Sequence, residues 1–420
     1  MGERVNQADN TPRPSGTGLT RLGILGFDPR RLRRLEILLL AVPLTLGLRF
    51  GGGGPILVFL AACLAIIPLA GLMGEATERL AERLGPGIGG LLNATFGNAA
   101  ELIIALFALF KGLDEVVKAS ITGSIIGNIL LVLGASLLAG GLRHPCQTFN
   151  RTAAGVSATM MVLASFGLLI PAIFHELPEV HRGQIGLEHE LSLGVSCILL
   201  LTYLSHLIFS LVTHKSLFNP AATRTHPPSE PTSRSRTTAQ LILSTLLIAW
   251  TSEILVGAVE QASEGLGMSS VFVGVVVVAI VGNAAEHSTA IVVALKNQMD
   301  LSVGIAIGSA LQIALFVAPV LVFASYLRTE PMDLRFTLLE VVAVILSVLI
   351  ARMVAEDGES NWLEGLMLLM VYAILATAFF FLPERRGEPG NGGMGSGERV
   401  VTTQQRPTWP PRVGGHGLVA

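Results

Sequence analysis

Two short strings in this chain combine residue types and spacing suited to holding a cation. Gly97-Asn98-Ala99-Ala100-Glu101 recurs letter for letter as Gly282-Asn283-Ala284-Ala285-Glu286. In each string a carboxamide and a carboxylate stand three positions apart, which puts them on one face of a helix. The neighbouring glycine, Gly97 or Gly282, lets another backbone approach or lets the helix open and free carbonyls. Amide, carboxylate and backbone oxygens are all hard donors. Two such sets facing each other would offer the roughly six to eight oxygens that Ca²⁺ takes, with water filling gaps, and two carboxylates match a divalent charge. No Cys or Met accompanies either string, which disfavours a soft metal.

The match runs on in register. Ala105 answers Ala290, Lys111 answers Lys296, and Gly123-Ser124 answers Gly308-Ser309. Each string leads into a second helix bearing small and polar residues: Ser124 and Asn128 in one half, Ser309 and Gln312 in the other. Asn128 lies 27 positions after Glu101, and Gln312 lies 26 after Glu286. A helix returning antiparallel brings these four side chains to the level of the glutamates. There they can orient the carboxylates or meet the ion through water. His287 beside Glu286 reads either as a proton relay or as a packed, hydrogen-bonded histidine. Lys111 and Lys296 read as interface anchors at helix ends. Glu78, Glu82, Glu260 and Glu264 lie near helix ends, where a structural role and an ion-entrance role weigh equally. One isolated Asn/Glu pair could be interhelical glue; two identical pairs in apolar surroundings point to a cation site in two halves.

The elements that must position these residues follow from hydropathy. The 420 residues are 51% hydrophobic and 14% charged, with a mean hydropathy of +0.64. Soluble domains carry about 25% charged residues. The apolar runs are continuous and do not alternate, so the chain reads as an all-α polytopic membrane protein, not a β-barrel. About eleven spans are expected, at 35–51, 55–83, 86–111, 115–141, 151–174, 190–213, 237–263, 269–296, 301–327, 334–354 and 361–382. The organisation reads as a disordered, basic segment 1–34, an extra helix 35–54, a first repeat 55–214, a linker 215–238, a second repeat 239–382 and a disordered tail 383–420. The linker holds four prolines, with Glu230 its only acid. Residues 1–20 lack the apolar stretch of a cleavable signal peptide.

Basic residues in short loops set the orientation. Arg30, Arg31, Arg33 and Arg34, then Arg143 and Arg151, then the linker cations all fall on one side if eleven spans cross the bilayer. That side reads as the cytoplasm, with the N-terminus on it. Arg385 and Arg386 argue the other way and weigh less than the first span. Glu101 would open the third span and Glu286 the eighth. Five helices separate them, so the two copies cross in opposite directions and form two inverted five-helix repeats.

Other classes find little support. No basic patch with interleaved aromatics suggests nucleic acid. Cys63, Cys146 and Cys197 are far apart and read as small apolar packing residues, with no disulfide framework. His175-Glu176-Leu177-Pro178-Glu179-Val180-His181 is not HExxH, and no P-loop or Gly-x-Ser-x-Gly element is present. The chain therefore does not read as an enzyme or an ATP-driven pump, and no cofactor is called for.

Residues 91–103, Leu-Leu-Asn-Ala-Thr-Phe-Gly-Asn-Ala-Ala-Glu-Leu-Ile, resemble the first signature of the Ca²⁺/H⁺ exchangers, the cation/proton exchangers of the Ca²⁺/cation antiporter superfamily. Residues 281–287, Val-Gly-Asn-Ala-Ala-Glu-His, resemble their second. The resemblance covers about residues 35–382. The Gly-Thr-Ser-x-Pro-Glu-like signature of sodium/calcium exchangers is absent. The resemblance implies an eleven-helix fold of two inverted five-helix repeats around a midplane ion site. It also implies that Glu101 and Glu286 carry Ca²⁺ and protons, with Asn98 and Asn283 beside them. One departure is the missing acidic stretch between the halves; another is the lack of a long autoinhibitory N-terminal tail, which favours a microbial relative.

The reading that results is a secondary antiporter that exports cytosolic Ca²⁺ in exchange for protons across the plasma membrane of a microbe. A carboxylate in hydrocarbon-like surroundings is comfortable as the neutral acid or beside a cation, and that exclusion is the simplest basis for exchange. Mn²⁺ in place of Ca²⁺, Na⁺ in place of H⁺, a cation channel and an intramembrane metal-dependent enzyme are the rivals. Ca²⁺, H⁺ and the bilayer are the partners; oligomeric state is left open.

Overall fold

A computed structural model describes residues 37–177, 185–218 and 233–382, and they are almost entirely helical. The expected segments 1–34 and 383–420 and the Pro-rich heart of the linker lie outside the described residues. A short helix α1 (Ala41–Phe50) comes first. Then follow α2 (Pro55–Gly85), α3 (Ile88–Phe96), α4 (Ala99–Phe110), α5 (Asp114–Arg143), α6 (Arg151–His175) and α7 (Leu187–Thr213). The second half has α8 (Arg234–Leu266), α9 (Ser270–Gly282), α10 (Ala284–Leu295), α11 (Met299–Ser325), α12 (Leu338–Val354) and α13 (Trp362–Phe380).

Among the described residues, seven helices are singly long and apolar enough to cross a membrane. The pairs α3–α4 and α9–α10 are bent by 45° and 59° and bring the number to nine if each is one span. The first and tenth spans expected from the sequence fall on α1 and α12, of 10 and 17 residues.

Local chemistry explains the helix boundaries. Asn150 caps α6 by accepting from the Ala153 N–H at 3.0 Å. Thr337 with Glu340, and Asn361 with Glu364, form reciprocal capping boxes at the starts of α12 and α13. Gly267 ends α8 in the left-handed region at φ 66°. Gly85, at φ 80°, separates α2 from α3, a conformation that costs a residue with a side chain considerably more.

Packing places two helices at the centre. In α5 and α11, 72% of the apolar stretch is buried; in α7 and α13 only 17% is, which puts those two on the outside of the bundle. Ile121, Ile125 and Ile129 of α5 and Ile307, Leu311, Ile313 and Leu315 of α11 are at most 2% exposed. The α5–α9 crossing is a backbone contact. A Cβ on Gly123 would lie 2.1 Å from the Val275 carbonyl oxygen, and one on Gly274 would lie 2.6 Å from the Ala119 Cβ. Long α2 packs against long α8, α6 against α12, and α5 against α13. A two-residue antiparallel pairing of β1 (Gln147–Thr148) with β2 (Glu359–Ser360) joins the α5–α6 and α12–α13 connections.

The α11–α12 connection is pinned by charge. Arg328 makes two hydrogen bonds to Asp114, at 2.5 and 3.2 Å, and Lys118 pairs with Asp333. Burial would lift the Asp333 carboxyl. The Lys118 ammonium beside it, helped by the Arg335 N–H, outweighs that and holds it below its ordinary value. The cysteines depart from the expectation of packing residues. Cys63 is buried, but Cys146 and Cys197 are exposed, one in a connection and one on the outer helix α7.

Candidate cation site

Both expected strings sit at helix breaks. Asn98 (φ −101°, ψ 26°) and Asn283 (φ −90°, ψ 5°) leave the α-helical region between α3 and α4 and between α9 and α10. Asn is a weak helix former whose short polar side chain tolerates this bridge conformation. The break makes Ala99 and Ala284 the first residues of new helices, so Glu101 and Glu286 fall in first turns. The positive end of each helix dipole then lies beside a carboxylate.

The two halves interlock at this level. The Asn98 side chain donates to Gln312 Oε1 at 2.5 Å and accepts from the Ser309 hydroxyl at 2.8 Å. Asn128 donates to Asn283 Oδ1 at 3.1 Å and reaches Ser309 Oγ at 3.0 Å. Asn283 donates to Ser124 Oγ at 3.0 Å and to the Ala279 carbonyl at 2.9 Å. Asn98, Asn128 and Asn283 are each 1% exposed, so this network replaces water that the amides have lost.

The glutamates cross over. A Cβ on Gly282 would lie 3.1 Å from Glu101 Cγ, and one on Gly97 would lie 3.7 Å from Glu286 Oε1. Each carboxylate thus rests against the glycine of the other half. The sequence left close approach and helix opening both open for the glycines; the non-helical residues are the asparagines, and the glycines make room for the opposite glutamate.

Three acceptor oxygens are buried here without a donor: Glu101 Oε1, Glu286 Oε2 and Asn128 Oδ1. A cavity of about 10 Å³, room for one water, is lined by Glu101, Ser120, Ser124 and apolar side chains including Ile313 and Val317. Unpaired buried oxygens are costly, and oxygens of this kind are the ones a cation satisfies. Among the described residues no group of three or more His, Cys, Asp or Glu side chains that could hold a metal ion gathers.

The structure therefore brings Gly97, Asn98, Glu101, Ser124, Asn128, Gly282, Asn283, Glu286, Ser309 and Gln312 together. It does not join the His287 side chain to them. That residue is half-buried in the first turn of α10, and its ring makes no hydrogen bond with a described residue. Glu78, Glu82, Glu260 and Glu264 are exposed, near the ends of α2 and α8. Sequence reasoning missed Ser120, which carries no counterpart signal in the other half. It also ranked Asn128 behind the two motif asparagines, although Asn128 is the amide with an unused buried oxygen.

Broken helices meeting at buried carboxylates and amides define a membrane cation exchanger, and similarity to known proteins agrees. The family model described as sodium/calcium exchanger protein matches residues 54–212 and 236–381. The chain belongs to that family. It is 46% identical over 366 residues to a Ca²⁺/H⁺ antiporter of Synechocystis, covering 83% of this chain and 97% of the relative. It is 46% identical over 327 residues to the Ca²⁺/H⁺ antiporter ChaA of Bacillus subtilis, covering 77% and 92%. The solved structure of native YfkE superposes with a TM-score of 0.72 at 42% identity, covering 83% of this chain and all of that one. A crystal structure of the H⁺/Ca²⁺ exchanger CAX shares the fold, with a TM-score of 0.62 at 14% identity.

Proposed function

We propose that the chain is a secondary Ca²⁺/H⁺ antiporter in which Glu101 and Glu286 hold either protons or one Ca²⁺. The observation that carries this reading is the pair of crossed glutamates, each with a buried oxygen that no donor satisfies. The close likeness to relatives named Ca²⁺/H⁺ antiporter supports it over most of the chain.

Asn98 and Asn283 are already engaged through their amide oxygens, but each carbonyl oxygen keeps a second lone pair for the ion. Asn128 Oδ1 adds an oxygen with no competing donor. Ser124, Ser309 and Gln312 hold the amides in place. With both acids protonated the site is neutral; with Ca²⁺ bound both are ionised. Loading one cargo discharges the other.

The eleven-span, inverted-repeat arrangement belongs to the same reading, with residues 55–214 and 239–382 as halves around a fixed site and α1 as an addition. So do a cytoplasmic N-terminus, the plasma membrane of a microbe as the host, and transport without enzymatic chemistry. Rocking of one group of helices against the other would expose the site to either side.

The test is Ca²⁺-dependent proton release from vesicles with the membrane potential clamped. Proton exit accompanying Ca²⁺ entry is expected. Ca²⁺ entry without it overturns antiport in favour of a channel or Na⁺-coupled exchange, and preference for Mn²⁺ over Ca²⁺ in the same assay overturns the cargo.

A further inference from the structure

A second polar feature lies away from the crossed glutamates, at one end of the α6–α12 pair. Arg151 is the first residue of α6, and Arg352 lies in the last turn of α12. With Thr152, Gly155, Thr159 and Met160 they line a groove of about 600 Å³. Both arginines are exposed.

Neither guanidinium has an anionic partner among the described residues. Arg352 donates to the Thr159 hydroxyl at 2.7 Å, and Arg151 makes no side-chain hydrogen bond. Glu356, Asp357 and Glu359 follow α12 and are exposed, but none forms an ion pair with either arginine. Two unpaired guanidiniums beside a hydroxyl, at the rim of a helix pair, make a receptor for a tetrahedral oxyanion. Guanidinium presents a planar fork of donors that suits phosphate.

The surroundings decide which phosphate. Leu349 is one turn before Arg352 on the same face of α12 and is 49% exposed; its neighbour Met353 is 70% exposed. Leu163 follows Thr159 by one turn of α6 and is 42% exposed. The polar groove thus opens onto apolar helix faces that a soluble anion cannot use. A headgroup in the groove would lay its acyl chains along them.

We propose that the groove between the start of α6 and the end of α12 binds the phosphate of an anionic phospholipid. Arg151 and Arg352 clamp the phosphate, and Thr159 orients Arg352. The lipid then bridges one helix from each half of the chain. Basic pockets between transmembrane helices are a recurrent means of holding such headgroups.

The experiment uses native mass spectrometry on the full-length protein in detergent, titrated with phosphatidylglycerol or phosphatidylcholine. Phosphatidylglycerol is expected to bind at least tenfold more tightly. R151Q/R352Q should weaken phosphatidylglycerol about 30-fold, from two basic contacts at a membrane surface, and weaken phosphatidylcholine less, because its choline cation offsets the same phosphate. Equal affinity for the two lipids in the wild-type protein overturns the proposal without any variant. Unchanged phosphatidylglycerol binding by a folded double variant overturns it as well. A third arm adds millimolar inorganic phosphate to a thermal melt. Protection by phosphate equal to that by phosphatidylglycerol overturns the lipid assignment in favour of a free anion. No arm reads transport, so the outcome is independent of the exchanged ions.

Discussion

Gly282 lies against the Glu101 side chain so closely that a methyl group added there would stand 3.1 Å from Glu101 Cγ. This contact makes the glycine of one half a positioning surface for the carboxylate of the other. Gly282→Ala should displace the Glu101 carboxylate by a few tenths of an ångström with little loss of folding. Ca²⁺ uptake is expected to fall about tenfold or more, since small misplacements of a reacting group carry penalties of that order. The melting temperature should stay within about 2 °C. Normal uptake by a well-folded Gly282→Ala protein would show that this contact does not place the carboxylate.

Glu101→Gln and Glu286→Gln test the carboxylates themselves. Glutamine keeps shape and hydrogen bonding but neither ionises nor titrates. Each variant should lose ΔpH-driven Ca²⁺ uptake at wild-type membrane abundance. Near-normal uptake by either one would remove that residue from the site.

Asn128 separates ligation from scaffolding. Its Nδ2 group donates to Asn283 and Ser309, and its Oδ1 has no donor. Asn128→Asp should keep much of the Ca²⁺ affinity, because a hard oxygen remains. Asn128→Leu should lose at least tenfold and also cost about 1–3 kcal/mol by stranding its partners. Asn98→Ala and Asn283→Ala should weaken apparent Ca²⁺ affinity more than stability. Unchanged affinity in these variants, read by Ca²⁺ titration of uptake, would make the asparagines packing groups only.

Competition for one site predicts the pH dependence of transport. Apparent Ca²⁺ affinity should fall as the loading side is acidified, because a protonated carboxylate is a poor ligand. Two interacting carboxylates can make that fall steeper than one proton per ion. Affinity that is flat across the range in which transport is active would break the link.

Asp333 gives a stability test away from the site. Its folded pKa lies below the unfolded value because of Lys118, so the stabilisation is complete above that value, near 3.8, and is lost as pH falls through the lower folded one. Asp333→Asn should destabilise the protein by about 2 kcal/mol at neutral pH, for a pair whose side chains are each only 15% exposed. The gap to wild type should narrow below about pH 4. A gap that persists unchanged in acid, measured by detergent melts, would locate the effect in packing instead.

The sequence made the helices and the duplicated strings legible because both are local patterns. Continuous hydropathy marked the long helices, and identity between residues 97–101 and 282–286 marked the two strings, but the spans expected at 86–111 and 269–296 ran unbroken through the places where the helices bend. What it could not display was which partner each polar group meets. The Asn98–Gln312 and Asn128–Asn283 pairs span 214 and 155 positions, and nothing periodic connects them. The clamp of Arg328 and Asp333 onto Asp114 and Lys118 was hidden for the same reason, in a connection with no helical repeat. Cys146 and Cys197 were misjudged because composition favours burial of cysteine, whereas their exposure depends on position, one in a connection and one on the outer face of a helix bundle.

The amide network has a bearing on how the protein is made. Both side-chain partners of Asn98, the one described for Ser124, and the glycine beneath Glu101 all come from beyond residue 280. Synthesis delivers them last. Until they arrive, a nascent first half holds Asn98, Glu101, Ser124 and Asn128 without their partners, in a membrane that offers few substitutes. Biogenesis must therefore either shelter α3–α5 in the insertion machinery or keep water beside them. Truncation within the second half would turn these same residues from an ion site into a mark for quality control.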